Sequence, residues 1–599
     1  MKARHPLFIS IAFLSLALAV CTTLRADDGP PPLLPNTSEQ AILDDYKMEA
    51  ARLGHGVKSF GKTSDASIPA DFAPWWIRGQ KNSIGDSKGK PISIEDLYLR
   101  TIRNSKQIRV FGDLPLIRET GIQEAKGAFD TNTFLQGKFD HLNDPVGNTL
   151  TTGGATRFRQ DEWSFEAGVK KKFVTGTEVS VTQNLSQTAN NSIYFTPNAQ
   201  SKGQLALSIV QPIFKGAGIE YNRSIMRIAR LDSDIAMHEF IRQSESHLLE
   251  VTRTYWALYA ARVTYLQKER LVDETARVSD ELKARQKVDA QESQIFRAQS
   301  ALASRRSDLV RSEAAVRNAQ DRLKALTSDA ALLDGPNVEL IPSDRLILGG
   351  SVVDPQAAAA VALENRPEIN QAFLQLRAAT IREKMQRNEL LPELNLVLQG
   401  SLGGLSGGDF GDAYGKQYNT GGPGYGAGIV FSFPLENNIA RARLERRRLE
   451  LRQQLDQLKT TIDTVLLEVK ISAREVATAH RETQAKYAAV KAFTSDVDSI
   501  LARRALRTAS PAPGADEASQ TALYLDTLLD SQDRRANAEE EFIRSAANYQ
   551  IAIVNLERSK GRLLNYKDVS VVRDKDERGL PELHLEKGAR DGKTARDGK

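Results

Sequence analysis

Two periodicities divide the chain. From Ile219 to Asp334, from Leu435 to Ser510 and from Ala515 to Lys560 there is neither Gly nor Pro, and apolar residues recur three and four positions apart. Leu451, Leu455, Leu458, Ile462, Val465, Val469 and Val476 make one seam. Leu302, Leu309, Val316 and Leu323, with Ala319 and Leu326, make a second; Ile241, Leu248 and Tyr255, with Val251 and Leu258, make a third. Such seams, on helices with charged outer faces, predict long coiled coils. At 1.5 Å per residue, a helix from Ile219 to the charged patch "KARQKVDAQESQ" would run about 100 Å before folding back. The second long run breaks at "SPAPGAD" (510–516).

The other periodicity is two. "LPELNLVLQGSL" (391–402) alternates Leu394, Leu396 and Leu398 with Asn395, Val397 and Gln399. "GAGIVFSF" (426–433) and "QLALSIVQP" (204–212) alternate likewise, "WSFEAGVKKKFVTGTEVSVTQNLS" (163–186) reads as a hairpin turning at "TGT", and "FDTNTFLQGKF" (129–139) is a weaker strand. The Gly- and Asn-rich stretch 400–426 reads as an exposed loop. An alternating strand offers one face to lipid and one to water. It cannot stand alone in a bilayer, because its edge groups would lack partners. Four principal strands cannot close a useful barrel, so several copies must share one; three copies would give about twelve strands. The helices beyond are charged and belong in water. Pro212 and Pro434 stand where strand gives way to helix, and are expected to break the hydrogen-bond ladder and redirect the chain.

The two halves repeat. Asn104 falls over Asn365, Ile108 over Ile369 and Pro212 over Pro434, and each half runs short helices, strand, Gly-rich loop, strand, proline, long helical hairpin. The expected divisions are a first repeat over 91–334, with strands within 129–212 and a hairpin over 219–334, and a second over 355–565, with strands within 391–434 and a hairpin over 437–561. The fold class is mostly α, a duplicated unit of antiparallel coiled-coil hairpins joined to strands of a shared barrel.

"NRPEI" (365–369) followed by "LPELNL" (391–396), "QPIF" (211–214) and "FPL" (433–435) at the strand-to-helix joints, and "LDTLLDSQDRRANAEEEFIRSAANYQIAIVNLERSKGRLL" (525–564) together resemble the TolC family of bacterial outer-membrane efflux proteins. The resemblance spans about residues 93–565. It implies a homotrimer with a twelve-stranded barrel in outer-membrane lipid and a helical tunnel in the periplasm. It further implies a tip that docks a periplasmic adaptor protein and an inner-membrane pump, for efflux or one-step secretion. Acidic residues line the closed entrance in that family. Asp530 falls on such a position, while Asp526 is one residue off the usual spacing, where Thr527 stands. Threefold symmetry would gather these carboxylates into a ring that binds cations. Arg503, Arg504 and Arg507, just before the second tip, could brace a closed state through salt bridges. Two departures stand out: the 160–190 hairpin would add strands either to the barrel or to its outer rim, and the tip segment "SPAPGADEASQ" is longer than the family's short Gly turn. A periplasmic coiled-coil scaffold or an adaptor protein, without a barrel, is the alternative; it explains the helices but not the strands and their proline joints.

Composition narrows this little further. With 81 basic and 76 acidic residues the charges are mixed, so bulk charge gives nucleic-acid binding no support. The amino terminus, with Lys2 and Arg4 before an apolar stretch over 7–20, reads as a secretory signal cleaved after Ala26. Cys21 is the only cysteine; "LAVC" loosely matches a lipoprotein processing site, so Cys21 could carry lipid. Residues 27–90 read as a loosely ordered extension with an apolar knot at Trp75 and Trp76, and 566–599 as a disordered tail. The seven histidines show no paired metal spacing. "GPGYGAG" (422–428) precedes a strand rather than a helix, so it is not a nucleotide loop. No catalytic role, metal or cofactor is expected.

Overall fold

The computed structural model describes residues 74–79, 88–286, 291–333, 338–350, 353–509, 517–566, 569–572 and 582–585, and isolated positions between 46 and 84. For helix residues 504–509 and most of 517–526 only the backbone course is described. The signal segment with Cys21, most of the 27–90 extension, the tip turn at 510–516 and most of the tail lie outside these residues.

The duplication is metrical. Helices α1 (Ile94–Asn104) and α2 (Lys106–Gly127) are 11 and 22 residues long, and so are α5 (Pro355–Asn365) and α6 (Pro367–Asn388). Each short helix is capped by a side chain fitted to the exposed first-turn amides: Ser93 Oγ accepts from Asp96 N, and Asp354 Oδ1 accepts from Gln356 N. Pro367 occupies the first turn of α6, where its missing N–H is no loss.

The Gly- and Pro-free runs fold as α3 (Ile219–Ala284), α4 (Glu292–Thr327), α8 (Asn438–Ala509) and α9 (Glu517–Ser559). At 66 residues, α3 is about 100 Å long. The α8 seam divides its work. Leu451, Leu458, Ile462, Val465 and Val469 pack on α5 and α6 through Leu363, Phe373 and Leu376, whereas Val476 and Ala479 pack on α9 through Tyr549, Ala552 and Leu556. Lower down, Val278, Leu282, Ile295, Val497, Ile500 and Leu528 join both hairpins in one cluster.

The largest core lies midway along the helices, around Tyr98, Phe240, Tyr255, Leu258 and Phe542. A two-stranded parallel sheet, β1 (Lys88–Ile92) with β6 (Val338–Pro342), closes one side of it. Glu339 of β6 forms a buried ion pair with Arg262 of α3 and accepts the Ile84 amide at 2.7 Å. The amino-terminal segment is docked here, contrary to the expectation of a loose extension at these positions. Trp76 is 2% exposed, Phe72 lies 4.9 Å from the Tyr487 ring of α8, and the Arg270 guanidinium of α3 sits 4.9 Å over Trp75. The segment thus touches helices of both hairpins. Local composition could not announce this, because the burying surface comes from residues hundreds of positions away.

Six long strands form one antiparallel sheet: β2 (Thr131–Pro145), β3 (Arg157–Lys172), β4 (Glu178–Asn190), β5 (Gln200–Pro212), β7 (Glu393–Gly407) and β8 (Pro423–Ser432), in that order. Four come from the first repeat and two from the second: β2, β5, β7 and β8 are two principal strands per repeat, and the 160–190 hairpin adds two more. The hairpin β3–β4 is a full member, paired along its length with β2 on one side and β5 on the other. The supposed loop at 400–426 is also corrected. It continues β7 to Gly407, then forms a short helix, α7 (Phe410–Asn419), before β8.

Removing the Trp76 side chain should leave a large void under the docked segment. Trp76→Ala is expected to destabilise by about 3–5 kcal/mol, seen as a lower urea midpoint by circular dichroism; Trp75→Ala, with its ring 38% exposed, should lower it less.

Candidate functional site

Strand register sorts the sheet into two unlike faces. In β3, Trp163, Phe165, Ala167 and Val169 lie on one face and Glu162, Ser164, Glu166 and Lys170 on the other. Pairing carries the first set to Phe139 and Leu135 of β2 and to Leu185 and Val181 of β4. It continues through Leu205, Leu207 and Ile209 of β5 to Leu402, Leu398 and Leu396 of β7, then to Ala427 and Ile429 of β8. The second set continues through Ser186, Asn184, Thr182 and Ser180 to Gln204 and Ser208, then to Gln399 and Ser401. One face is a hydrocarbon surface and the other is fit for water, the division that a membrane barrel wall requires.

Both margins of this sheet are open. Among the described residues, no strand pairs with the outer edge of β2 or of β8, and every residue of both strands is exposed. Leu135 is 80% exposed and Tyr425 94%. A long, flat, apolar edge of this kind is a template for another strand.

At the strand-to-helix joints the prolines play a smaller part than the sequence suggests. The ladder runs through Pro212, which is paired with Asn395, and continues past it: Ile213 N donates to Leu394 O at 2.8 Å and Lys215 N to Pro392 O at 3.3 Å. The turn is made by Gly216 (φ 79°) and Gly218 (φ 94°), left-handed positions that suit Gly. Pro434 is exposed, two residues beyond the end of β8, and the turn there falls on Asn437 (φ 47°). Both joints are tied to the α6–β7 connection. Gly216 N donates to Asn388 Oδ1 at 2.8 Å, and Asn437 Nδ2 to Leu390 O at 3.2 Å. Tyr221 donates to Glu389, and this bond together with burial pushes its hydroxyl pKa up, burial being the larger cause.

At the far end of the helices, the predicted entrance residues are placed but not gathered. Asp530 of α9 is exposed and paired with Arg534 at 2.7 Å, one turn on. Arg503 of α8 is exposed. The side chains of Asp526, Arg504 and Arg507 lie outside the described residues. Sequence reasoning missed the contacts that hold α9 near this end. The buried Arg305 of α4 donates to Leu529 O at 2.7 Å and to Thr275 of α3. Arg535 pairs with Glu274 of α3 at 2.5 Å, and Ser531 Oγ donates to Asp496 of α8 at 2.9 Å. An Arg inside an apolar seam, as Arg305 is beside Leu302 and Leu309, was the available signal. No described helix is long and apolar enough to cross a membrane, and the described residues hold no cluster of three or more His, Cys, Asp or Glu able to bind a metal.

No sequence-family model matches the chain, and no curated protein matches it by sequence. Solved structures do. It is similar to the CmeC outer membrane channel of Campylobacter jejuni, with a TM-score of 0.55 at 14% identity over 85% of this chain and 91% of that one. It is similar to CusC, described for its transmembrane channel formation, with a TM-score of 0.55 at 10% identity over 84% of this chain and 99% of that one. The open-state MtrE outer membrane channel of Neisseria gonorrhoeae scores 0.53 at 14% identity, over 79% and 89%. The chain has the TolC-like channel fold.

In this TolC-like fold the "NRPEI" segment is a junction of buried charge. Arg366 ends α5 and opens α6; it lies 3.0 Å from Glu368 and pairs with Glu468 of α8. Glu468 also takes Arg558 of α9, whose guanidinium reaches Ser246 of α3. Glu245 of α3 is buried beside this cluster. Burial pushes its carboxyl up to about 7, with Glu368 adding to the shift and Arg366 and Arg558 opposing it. Between about pH 4.5 and 7 the folded chain therefore keeps a proton that the unfolded chain has lost. Stability should fall as pH rises through that window. Thermal melts are expected to show this slope in the wild type and to lose it in Glu245→Gln.

Proposed function

We propose that the protein is an outer-membrane channel, a passive exit duct that several copies build together. The observation that carries the reading is the six-stranded sheet with one apolar face, one polar face and two open edges. It continues directly into helices about 100 Å long. Pairing β8 of one copy with β2 of the next would satisfy both edges, with the apolar face toward outer-membrane lipid and the polar face lining water. In a homotrimer, three sheets of six strands make eighteen, rather than the twelve expected from sequence. A barrel of that size leaves an aqueous lumen. The helical hairpins then form a periplasmic tunnel. Its tip would meet a periplasmic adaptor protein and an inner-membrane pump that drives efflux or one-step secretion. The chain itself does no catalysis in this reading. A scaffold or adaptor without a barrel would have no use for a two-faced sheet of this width.

The purified protein should form a detergent-dependent trimer that conducts ions across a planar bilayer; a monodisperse monomer needing no detergent would end the proposal. Substitutions should respect the faces. Ile429→Lys, on the apolar face, should impair membrane assembly by about 2–4 kcal/mol, whereas Ser401→Lys, on the polar face, should assemble and shift the channel toward anions.

The entrance ring remains part of this reading. Asp526→Ala with Asp530→Ala should abolish block of single-channel current by divalent cations added at the helical end. Unchanged block would dispose of the ring.

A further inference from the structure

Helix α7 lies where a barrel wall has no need of one, on the apolar face of the sheet. It crosses the strands rather than following them. Gln187 of β4 donates to Gly408 O at 2.9 Å, just before the helix, and the Phe410 ring is 5.9 Å from Phe165 of β3. Ala413 and Gln417, both 0% exposed or fully buried, then descend onto β5 and β7.

The sequence has made room for this contact. A Cβ on Gly404 of β7 would stand 2.4 Å from Ala413 O and 2.3 Å from Gln417 N, and one on Gly203 of β5 would stand 3.1 Å from Ala413 O. Gly404, one of the glycines that hid the helix in the sequence, is part of the floor it rests on. The contact also explains two residues that break the apolar alternation of β4. Gln183 and Gln187 lie on the lipid-type face, where an unpartnered amide is costly. They are instead partnered by the helix segment: Gln183 and Gln417 exchange hydrogen bonds at 2.9 and 3.2 Å, and Gln187 takes Gly408 O. A single Asp cap, Asp409 accepting from Gly411 N at 3.0 Å, opens the helix.

The two flanks of α7 differ. Asp412 and Lys416 lie on one side and meet Ser406, at the strand end remote from the long helices. Tyr414 and Tyr418 lie on the opposite flank, 46% and 50% exposed, with ring centroids 5.3 Å apart. Charges therefore point toward the outer end of the sheet, and the exposed aromatic pair toward its apolar middle.

We propose that α7 is an interfacial helix clamped to the outside of the barrel, where the tyrosine flank enters the lipid of the outer leaflet and the Asp412–Lys416 flank meets its headgroups. Paired tyrosines have this preference for the membrane boundary, apolar ring inward and hydroxyl at the headgroups. The helix also covers the distal ends of β5 and β7. These two strands join the halves of the duplication and have no turn connecting them at that end. The proposal rests on the outer-membrane channel reading, and its test separates the two.

The full-length trimer is reconstituted in phosphatidylcholine vesicles brominated either near the headgroup or near the chain end. A Tyr418→Trp variant in a Trp163→Phe background, read as the difference from that background because Trp75, Trp76 and Trp256 remain in both, reports on α7. The native Trp163, read as the difference between wild type and Trp163→Phe, reports on the barrel wall. The introduced tryptophan should be quenched about twofold more by the shallow bromines than by the deep ones, and iodide in the water should reach it poorly. Adding Gly404→Leu should displace the helix and abolish that quenching while the trimer persists. If iodide quenches the introduced tryptophan and brominated lipid does not, while Trp163 still responds to lipid, α7 lies in water or in the lumen and the proposal is overturned with the channel reading intact. If Trp163 also fails to respond, the membrane reading falls, and this proposal with it.

Discussion

Every strand in a bilayer must find hydrogen-bond partners on both of its sides, because hydrocarbon supplies none. This chain meets that demand for four of its strands and leaves it unmet for two, the open margins of β2 and β8. The apolar face intensifies the demand, since it removes water as a substitute partner. The helices impose a second condition. Each runs from the sheet into a charged, water-exposed body, so the sheet's position fixes where the helical tube begins. The proposed arrangement, a shared barrel above a helical tunnel, would satisfy both conditions at once.

Much of this was legible in the sequence, for definite reasons. Long runs without Gly or Pro leave few alternatives to helix, and α3 and α8 follow them closely. Two-residue alternation marked β5, β7 and β8, and the matched positions Asn104 and Asn365 marked a repeat whose helices prove equal in length. What escaped notice had a different physical origin. Gly-rich composition concealed α7, although Gly404 in that stretch serves close approach to the helix rather than flexibility. The prolines drew attention at the joints, while left-handed Gly216, Gly218 and Asn437 make the turns. The docking of Trp76 and the contacts of Arg305 depend on surfaces brought together only by folding. Of the entrance, the sequence offered Asp530 by position alone; its pairing with Arg534 emerges only from the helix.

The interior of the helical body is held by charge as well as by apolar packing. Arg366, Glu368, Glu468 and Arg558 tie α5, α6, α8 and α9 together where the short helices meet the long ones. Removing Glu468 would strand the buried Arg366 guanidinium, which is more harmful than never having had the pair. The Arg262–Glu339 pair plays the same part on the side closed by the parallel sheet. The two halves are joined by other contacts, Arg535 with Glu274, Arg305 with Leu529 O and Arg558 with Ser246, alongside apolar clusters that draw residues from both hairpins.

The β3–β4 hairpin lies between β2 and β5 both along the chain and in space. Two strands added as an up-and-down pair preserve the direction of everything around them. The lower ends of β2 and β5 still face the helices they serve, and no other pairing has to change register. The perimeter of the wall can therefore grow by whole hairpins while the conduit beneath keeps its dimensions. In the proposed channel, aperture at the cell surface and bore in the periplasm would be separately adjustable quantities, set by different stretches of one polypeptide.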